Sequence, residues 1–243
     1  MAIFRNKADK IRGVAGSLAG NLVLVADGTS GAGPGIARVF AEAGAAVVVA
    51  GSDSATIDVQ LRGFGNPPIE VAGVVAEPGT DAGRVQLIAS MPRSIDTLIL
   101  NASHLALDDS SGMGPLEIVV LARLVAAQMQ DRGHPGSIVF ITGIERVGPD
   151  TPAVTLLASE MIELARLLAP NAIRVNAVAP GEVGINRRGN PVPNRVSPLG
   201  HVSVHPVEVG KAAWFLANDQ LSAGITGTTI TIDRGASLLR PEW

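Results

Sequence analysis

The sequence predicts an α/β fold in which a single doubly wound parallel sheet of about seven strands is flanked by helices. Short apolar runs alternate along the chain with longer segments that have helical periodicity. The runs are continuously apolar, which indicates strands that are buried on both faces of a parallel sheet. A length of 243 residues and an apolar content of 47% suit one such domain.

Each element follows from its own segment of the chain. The first strand, LVLVA at 22–26, leads into a Gly-rich turn and a helix that ends near Ala43. Further apolar runs predict strands at 45–51, 69–75, 97–101, 137–143, 173–179 and 228–233. The segments between them predict helices at 54–62, 80–90, 114–131, 152–168 and 206–217, with a Pro- and Arg-containing loop at 181–204. Helices between parallel strands imply right-handed crossovers.

Residues 1–17 are predicted to be an extension that precedes the domain at 18–243. Four Lys and Arg residues lie between positions 5 and 12, and mostly apolar sequence follows them. A secretory signal is one interpretation, but its cleavage would remove the first strand. We favour a short N-terminal helix and expect a cytoplasmic protein.

Composition excludes several classes of function. The formal net charge of −3 does not predict a nucleic-acid-binding surface. The absence of Cys excludes disulfides, thiolate metal sites and Cys nucleophiles. No apolar run has the length of a membrane span. His201 and His205 have a metal-like spacing, but no third ligand accompanies them, so we predict no metal site.

The second half of the chain carries a family resemblance. The strand at 173–181 reads IRVNAVAPG, and the segments at 197–200 and 215–219 read SPLG and FLAND. Together with Asp233-Arg-Gly235, they resemble a short-chain dehydrogenase/reductase, and the resemblance covers about residues 18–236. It implies a Rossmann-like fold and, in an ordinary member, NAD(P)-dependent reduction of a carbonyl group.

The family's catalytic residues are missing. The resemblance places its Ser, Tyr and Lys at Gly143, Leu156 and Glu160, and the chain contains no Tyr at all. In this family the Tyr is the general acid, and the Lys lowers the pKa of the Tyr and holds the ribose. Loss of general acid catalysis typically costs about 10²–10⁴-fold in rate. We therefore expect the usual hydride transfer to be absent.

Glu160 and Thr142 are the catalytic candidates that remain. Glu160 lies one helical turn after Leu156, and as a carboxylate in a partly apolar cleft it could act as acid or base. The alternative, which we favour, is that Glu160 pairs with an Arg or points into water. Thr142 could donate a hydrogen bond to a ligand, or simply end its strand.

The resemblance also implies a dinucleotide site at the Gly-rich turn, and two interpretations of it stay open. Either NAD(P) still binds, or the turn only packs its helix onto the sheet. Asp27 places a carboxylate beside the expected phosphates, and Pro78 stands near the expected adenine contact. Gly51 and Ser52 predict neither NAD nor NADP, and Asp53 is a displaced candidate for the ribose. The candidate cofactor-binding residues are Gly28, Gly31, Gly33, Asn101, Ala102, Pro180 and Gly181.

Three functional classes follow. The first is a redox-silent member that serves as a structural or regulatory partner, for instance of an active homologue. The second is a non-redox enzyme, such as a cyclase, isomerase or dehydratase, that acts on a small apolar substrate through Glu160. The third is an atypical NAD(P)-dependent oxidoreductase, which ranks below the other two.

In each case we expect a homo-oligomer, a dimer or tetramer. Two long helices carry more apolar residues than one sheet face should cover. The residues are Leu116, Val119, Val120, Val125, Leu164 and Leu168.

Overall fold

A seven-stranded, all-parallel sheet forms the centre of the molecule. The computed structural model describes residues 17–64, 70–102, 114–143, 152–194 and 197–239. Its strands are β1 (Leu22–Ala26), β2 (Ala46–Gly51), β3 (Glu70–Val75), β4 (Thr97–Asn101), β5 (Gly136–Ile141), β6 (Ile173–Pro180) and β7 (Thr229–Ile232). Their spatial order is β3-β2-β1-β4-β5-β6-β7. Since the order reverses direction at β1, the predicted doubly wound sheet is confirmed.

Helices connect the strands in the predicted alternation. They are α1 (Gly33–Glu42), α2 (Ser54–Arg62), α3 (Asp81–Ala89), α4 (Pro115–Arg132), α5 (Pro152–Leu168), α6 (Pro206–Ala217) and α7 (Asp219–Ser222). Among the α-helices of the described residues, only the four-residue α7 was not predicted. The predicted N-terminal helix lies outside the described residues.

Alternate residues of each central strand enter separate hydrophobic cores on the two sheet faces. Leu22 and Leu24 of β1 belong to the core beneath α3, α4 and α5, whereas Val23 and Val25 belong to the core beneath α1 and α6. All five residues of β1 are buried. The edge strands β3 and β7 are only partly buried. Continuous apolar runs therefore predicted the central strands correctly, because both faces of those strands are covered.

Glycine allows α1 to approach α6 closely. A Cβ atom added at Gly35 would lie 2.4 Å from the carbonyl carbon of Pro206. One added at Gly210 would lie 2.8 Å from the carbonyl oxygen of Gly35. The two helices thus pack backbone to backbone, which fixes the start of α1 relative to α6.

A buried arginine fastens β6 to the segment after α6. The Arg174 side chain is only 9% exposed, and its guanidinium pairs with Asp219 at 2.7 Å. It also donates to the carbonyl oxygens of Leu216 at 2.5 Å and Ala217 at 3.1 Å, and to the Ser222 hydroxyl at 3.1 Å. The hydrogen bonds offset the cost of burying this charge.

The outer surface of α4 and α5 carries several exposed apolar residues, but they are not all the residues expected from the sequence. Val119, Val125, Leu164 and Leu168 lie in the core, so counting them as surplus apolar positions was wrong. Leu116 and Val120 are exposed, as are Leu124, Ile162 and Leu167. The error arose because total apolar content was counted without assigning each residue to a helix face.

Candidate functional site

The candidate cofactor residues meet at the carboxyl edge of the sheet. Backbone hydrogen bonds continue the ladder past the strand ends: Gly28 N–H donates to Ala50 at 2.9 Å, and Ala102 N–H donates to Ile141 at 2.8 Å. The Gly181 N–H donates to the carbonyl oxygen of Ile232 at 2.8 Å. The structure therefore brings together Gly28, Gly31, Gly33, Asn101, Ala102, Pro180 and Gly181 on the side where doubly wound folds bind ligands.

The Gly-rich turn folds tightly back on itself between β1 and α1. A Cβ atom at Gly33 would lie 2.5 Å from the carbonyl carbon and oxygen of Gly28. One at Gly28 would lie 2.9 Å from Val49. Gly31 has a φ of +49°, which favours glycine. These glycines are therefore required by the shape of the turn itself.

Asp27 opens this turn in a left-handed conformation, with a φ of +51°. The Ser30 hydroxyl donates to its carboxylate at 2.6 Å. Asp is one of the few residues other than Gly that tolerate this conformation. The hydrogen bond from Ser30 therefore keeps the carboxylate within the turn. The sequence had placed this carboxylate beside the expected phosphates of a dinucleotide.

Asn101 stabilises the turn through its side-chain amide. Its side chain is fully buried at the end of β4, and Nδ2 donates to the carbonyl oxygens of Asp27 at 2.8 Å and Ser30 at 3.0 Å. Asn101 was predicted to bind a cofactor. In the structure its amide group supports the turn.

The end of β2 is occupied by the chain's own side chains. Thr29 packs over Gly51, where an added Cβ atom would lie 2.9 Å from the Thr29 hydroxyl oxygen. Asp53 caps α2, and it accepts hydrogen bonds from the Thr56 N–H at 2.7 Å and from the Thr56 hydroxyl. The Thr56 hydroxyl is the main cause of a lowered pKa at Asp53. The carboxylate considered as a ribose ligand is therefore committed to a helix cap.

The segment after β3 is likewise internally bonded. The Pro78 carbonyl oxygen accepts a 2.6 Å hydrogen bond from Nη1 of Arg84, and Asp81 pairs with the same guanidinium. Arg84 is buried, with only 6% of the residue exposed. The place where the family's adenine-binding Asp would fall is thus tied to α3 by an arginine that the sequence analysis did not single out.

Glu160 pairs with Arg123 across the two long helices. Nη2 of Arg123 on α4 lies 2.6 Å from Oε2 of Glu160 on α5. The Glu160 side chain is 25% exposed and that of Arg123 is 48% exposed. Of the two interpretations of Glu160, this geometry favours the ion pair. Arg123 was missed, although a lone arginine within the apolar stretch IVVLARLVAA was a usable signal.

The other catalytic positions offer little chemistry. Leu156 is half-buried on α5, and Gly143 is buried at the last described position after β5. Thr142 is 6% exposed, and its N–H donates to the carbonyl oxygen of Val178 at 2.9 Å. The backbone of Thr142 therefore extends the strand, which agrees with the second of its two interpretations.

His205 has a structural role. Nδ1 of its ring accepts a hydrogen bond from the Val207 N–H at 3.1 Å and caps α6, while Nε2 lies 3.1 Å from the carbonyl oxygen of Gly189. Both ring nitrogens are thus engaged within the protein. In the part of the chain that the structure describes, no group of three His, Asp or Glu residues could hold a metal ion. No helix of that part is long and apolar enough to cross a membrane.

The turn therefore has the backbone shape of a dinucleotide site but not its charge. Its glycines and the start of α1 would suit a pyrophosphate. The Asp27 carboxylate would oppose the same group, because like charges at short range are unfavourable. The residues present do not fit a dinucleotide.

Comparison with known proteins identifies relatives that agree with one another in family. A family model described as enoyl-(acyl carrier protein) reductase matches residues 71–237. Oxidoreductase UcpA of Escherichia coli strain K12 is 30% identical over 257 residues, which cover 92% of this chain and 97% of that protein. Human dehydrogenase/reductase SDR family member 4 is 31% identical over 185 residues, covering 68% of this chain and 66% of that protein.

Solved structures agree with these sequence relatives. A Caenorhabditis elegans short-chain dehydrogenase/reductase of unknown function, solved with cofactor, superposes with a TM-score of 0.77 at 25% identity and covers 91% of this chain and 96% of its own. A structure described as a putative betaketoacyl-ACP reductase has a TM-score of 0.72 at 27% identity, with 90% of this chain and 99% of its own covered.

Proposed function

This chain belongs to the short-chain dehydrogenase/reductase family, and from that premise we propose that it is a redox-silent member acting as a structural or regulatory partner. In this role it does not catalyse hydride transfer between NAD(P) and a carbonyl compound. It acts instead through its surfaces, or through a small-molecule ligand bound at the carboxyl edge.

The observation that carries the proposal is the absence of tyrosine from the whole sequence. Carbonyl reduction requires a proton donor for the developing alkoxide, and the aligned residue, Leu156, has no proton to give. Gly143 lacks the hydroxyl that would orient the substrate oxygen, a loss worth about 10²–10³-fold. Glu160 reverses the charge of the ribose-binding lysine.

The Arg123–Glu160 ion pair weakens the alternative of a non-redox enzyme. A general acid must release its proton to a substrate, whereas this carboxylate accepts a hydrogen bond from a guanidinium 2.6 Å away. The named relatives are oxidoreductases, so an atypical hydride transfer is the competing function that an experiment has to exclude.

The partner role is supported by the exposed apolar face of α4 and α5. Leu116, Val120, Leu124 and Ile162 lie on these helices and are 63%, 40%, 41% and 57% exposed. Apolar surface of this kind favours association with a second copy of the chain, or with an active homologue of the same fold. Light scattering at micromolar concentration should show a dimer or tetramer, and a monomer would contradict this part of the proposal.

The test is turnover of NADH and NADPH with ketone and acyl thioester substrates, against heat-denatured protein as control. We expect no hydride transfer by the natural chain. The triple variant Gly143→Ser, Leu156→Tyr, Glu160→Lys should not recover full activity, because Asp27 still opposes the cofactor. Heat-sensitive turnover by the natural chain at a rate usual for a reductase would refute redox silence.

A further inference from the structure

The Gly-rich turn begins with a negatively charged side chain, that of Asp27. We propose that the Asp27 carboxylate is a resident negative charge that keeps the pyrophosphate of a dinucleotide out of the turn, so that this chain discriminates against NAD(H) and NADP(H) at the binding step. The inference rests on the proposed redox silence and gives it a physical origin in one residue.

Asp27 cannot easily move away from the turn. The Ser30 hydroxyl holds its carboxylate at 2.6 Å, and the buried Asn101 amide holds its carbonyl oxygen at 2.8 Å. The next N–H, that of Gly28, is bonded to the carbonyl oxygen of Ala50 at 2.9 Å. The second and third of these hydrogen bonds fix the backbone at Asp27, and rotation of the carboxylate away from the turn would break the first, from Ser30.

The carboxylate is linked to the start of α1 through Ser30. Ser30, which binds the carboxylate, accepts the N–H of Gly33 at 2.8 Å through its carbonyl oxygen. Within the described helix α1, the first turn has no acidic residue, and Ala32 makes no side-chain cap. The positive end of the α1 dipole therefore has Asp27 as a negatively charged neighbour in the preceding turn. A pyrophosphate would have to compete with this charge for the same end of the helix.

Two further contacts act in the same direction. Thr29 fills the space above Gly51 at the end of β2, and Asp53 adds a second carboxylate on the same side of the sheet. Thr29 is uncharged, and Asp53 lies outside the turn, where it caps α2. Removal of the charge on Asp27 is therefore the single substitution with the largest expected effect on dinucleotide binding.

The decisive variant is Asp27→Asn, which keeps the hydrogen-bond acceptor for Ser30 and tolerates positive φ, but removes the charge. Asp27→Gly is the second variant, because glycine adopts this conformation without strain. Glu42→Gln is the matched control: it changes the net charge equally, but at the opposite end of α1, where Glu42 pairs with Arg38.

Binding of NADH and NADPH is measured by nucleotide fluorescence and by the shift in melting temperature, at about 10 mM and about 1 M salt, where the Debye lengths are about 30 Å and about 3 Å. Either Asp27 variant should bind at least about tenfold more tightly than the natural chain at low salt, because one unit of like charge has been removed at short range. The gain should shrink at high salt, and Glu42→Gln should show none.

The outcomes separate the inference from the proposed function. Tighter binding by the Asp27 variants without hydride transfer supports both. Tight NADH binding by the natural chain, or equal affinities for the natural chain and both variants, overturns the role of Asp27 and leaves redox silence standing. Hydride transfer by the natural chain overturns the proposed function. A gain for Asp27→Gly but not for Asp27→Asn would show that side-chain bulk, not charge, closes the turn, and would also overturn the inference.

Discussion

Replacement of Glu160 by Gln distinguishes a structural carboxylate from a catalytic one. The substitution keeps the side-chain shape and removes the charge that faces Arg123 at 2.6 Å. Exposed ion pairs contribute about 0.2–1 kcal/mol, whereas breaking a buried pair costs about 3–5 kcal/mol. With Glu160 25% and Arg123 48% exposed, we expect a coupling energy of about 1 kcal/mol, at the upper end of the exposed range.

A double-mutant cycle measures this coupling directly. The proteins are the natural chain, Glu160→Gln, Arg123→Gln and the double variant, each unfolded in urea at low salt. The cycle is needed because Arg123 also acts on Glu163, whose pKa is lowered first by its hydrogen bond from Arg166 and further by the charges of Arg166 and Arg123. The single Arg123 variant therefore changes more than one interaction.

Glu163→Gln is the matched control on the same helix. Its partner, Arg166, lies three residues away, and both side chains are more exposed than Glu160, at 44% and 68%. Solvent screens this more exposed pair more strongly, so Glu163→Gln should destabilise the protein less than Glu160→Gln does.

The result that would refute the structural interpretation is specific. If the Glu160–Arg123 coupling is near zero and Glu160→Gln abolishes a ligand-dependent activity with unchanged stability, Glu160 is a catalytic acid or base. If neither stability nor activity changes, Glu160 has neither the structural nor the catalytic role.

Three further predictions concern the framework. Replacement of Arg174 by Met should lower the free energy of unfolding in urea by about 3 kcal/mol, because the buried carbonyl oxygens that it binds lose their donor. Gly33→Ala should cost about 1–3 kcal/mol by thermal or urea unfolding, since its Cβ atom would overlap the Gly28 carbonyl group, whereas Gly224→Ala, with no atom within 4 Å of the added Cβ, should be neutral. Burial alone would raise the pKa of Asp233, but hydrogen bonds from Ser237 and Gly235 produce a net lowering. This stabilisation is therefore present above the unfolded-state pKa of about 3.9 and is lost as the pH falls through the lower folded-state pKa. In a series of melting temperatures measured against pH, Asp233→Asn should reduce the fall in melting temperature on the acid side.

The fold was predictable because its signals are local and redundant. Strands such as LVLVA at 22–26 are apolar on both faces, and a Gly-rich turn leads from the first strand to the first helix. Where the sequence predicted the first and last residue of a strand or helix, each agrees with the structure to within two residues. A strand that is buried on both faces needs apolar residues at every position, so a continuous apolar run in the sequence predicts this packing.

The candidate site was less predictable because its contacts join residues far apart in sequence. Arg123 and Glu160 are 37 positions apart, and Asn101 reaches back 74 positions to Asp27. The family resemblance named Glu160 and Asn101, but it did not show what each side chain binds. At Asp53 a local signal was not used: Asp-Ser-Ala-Thr before a helix is a capping pattern, and Asp53 caps α2 in the structure.

The separation of the carboxyl edge from the two cores has an evolutionary consequence. In the described part of α5, the core residues that hold the helix to the sheet include Leu157 and Met161, which directly follow the family's Tyr and Lys positions, Leu156 and Glu160. Substitution at the candidate positions therefore leaves the anchoring face of the helix intact. The packing of α5 therefore does not restrict positions 156 and 160 to one kind of residue, and selection for another role can change both without loss of the fold.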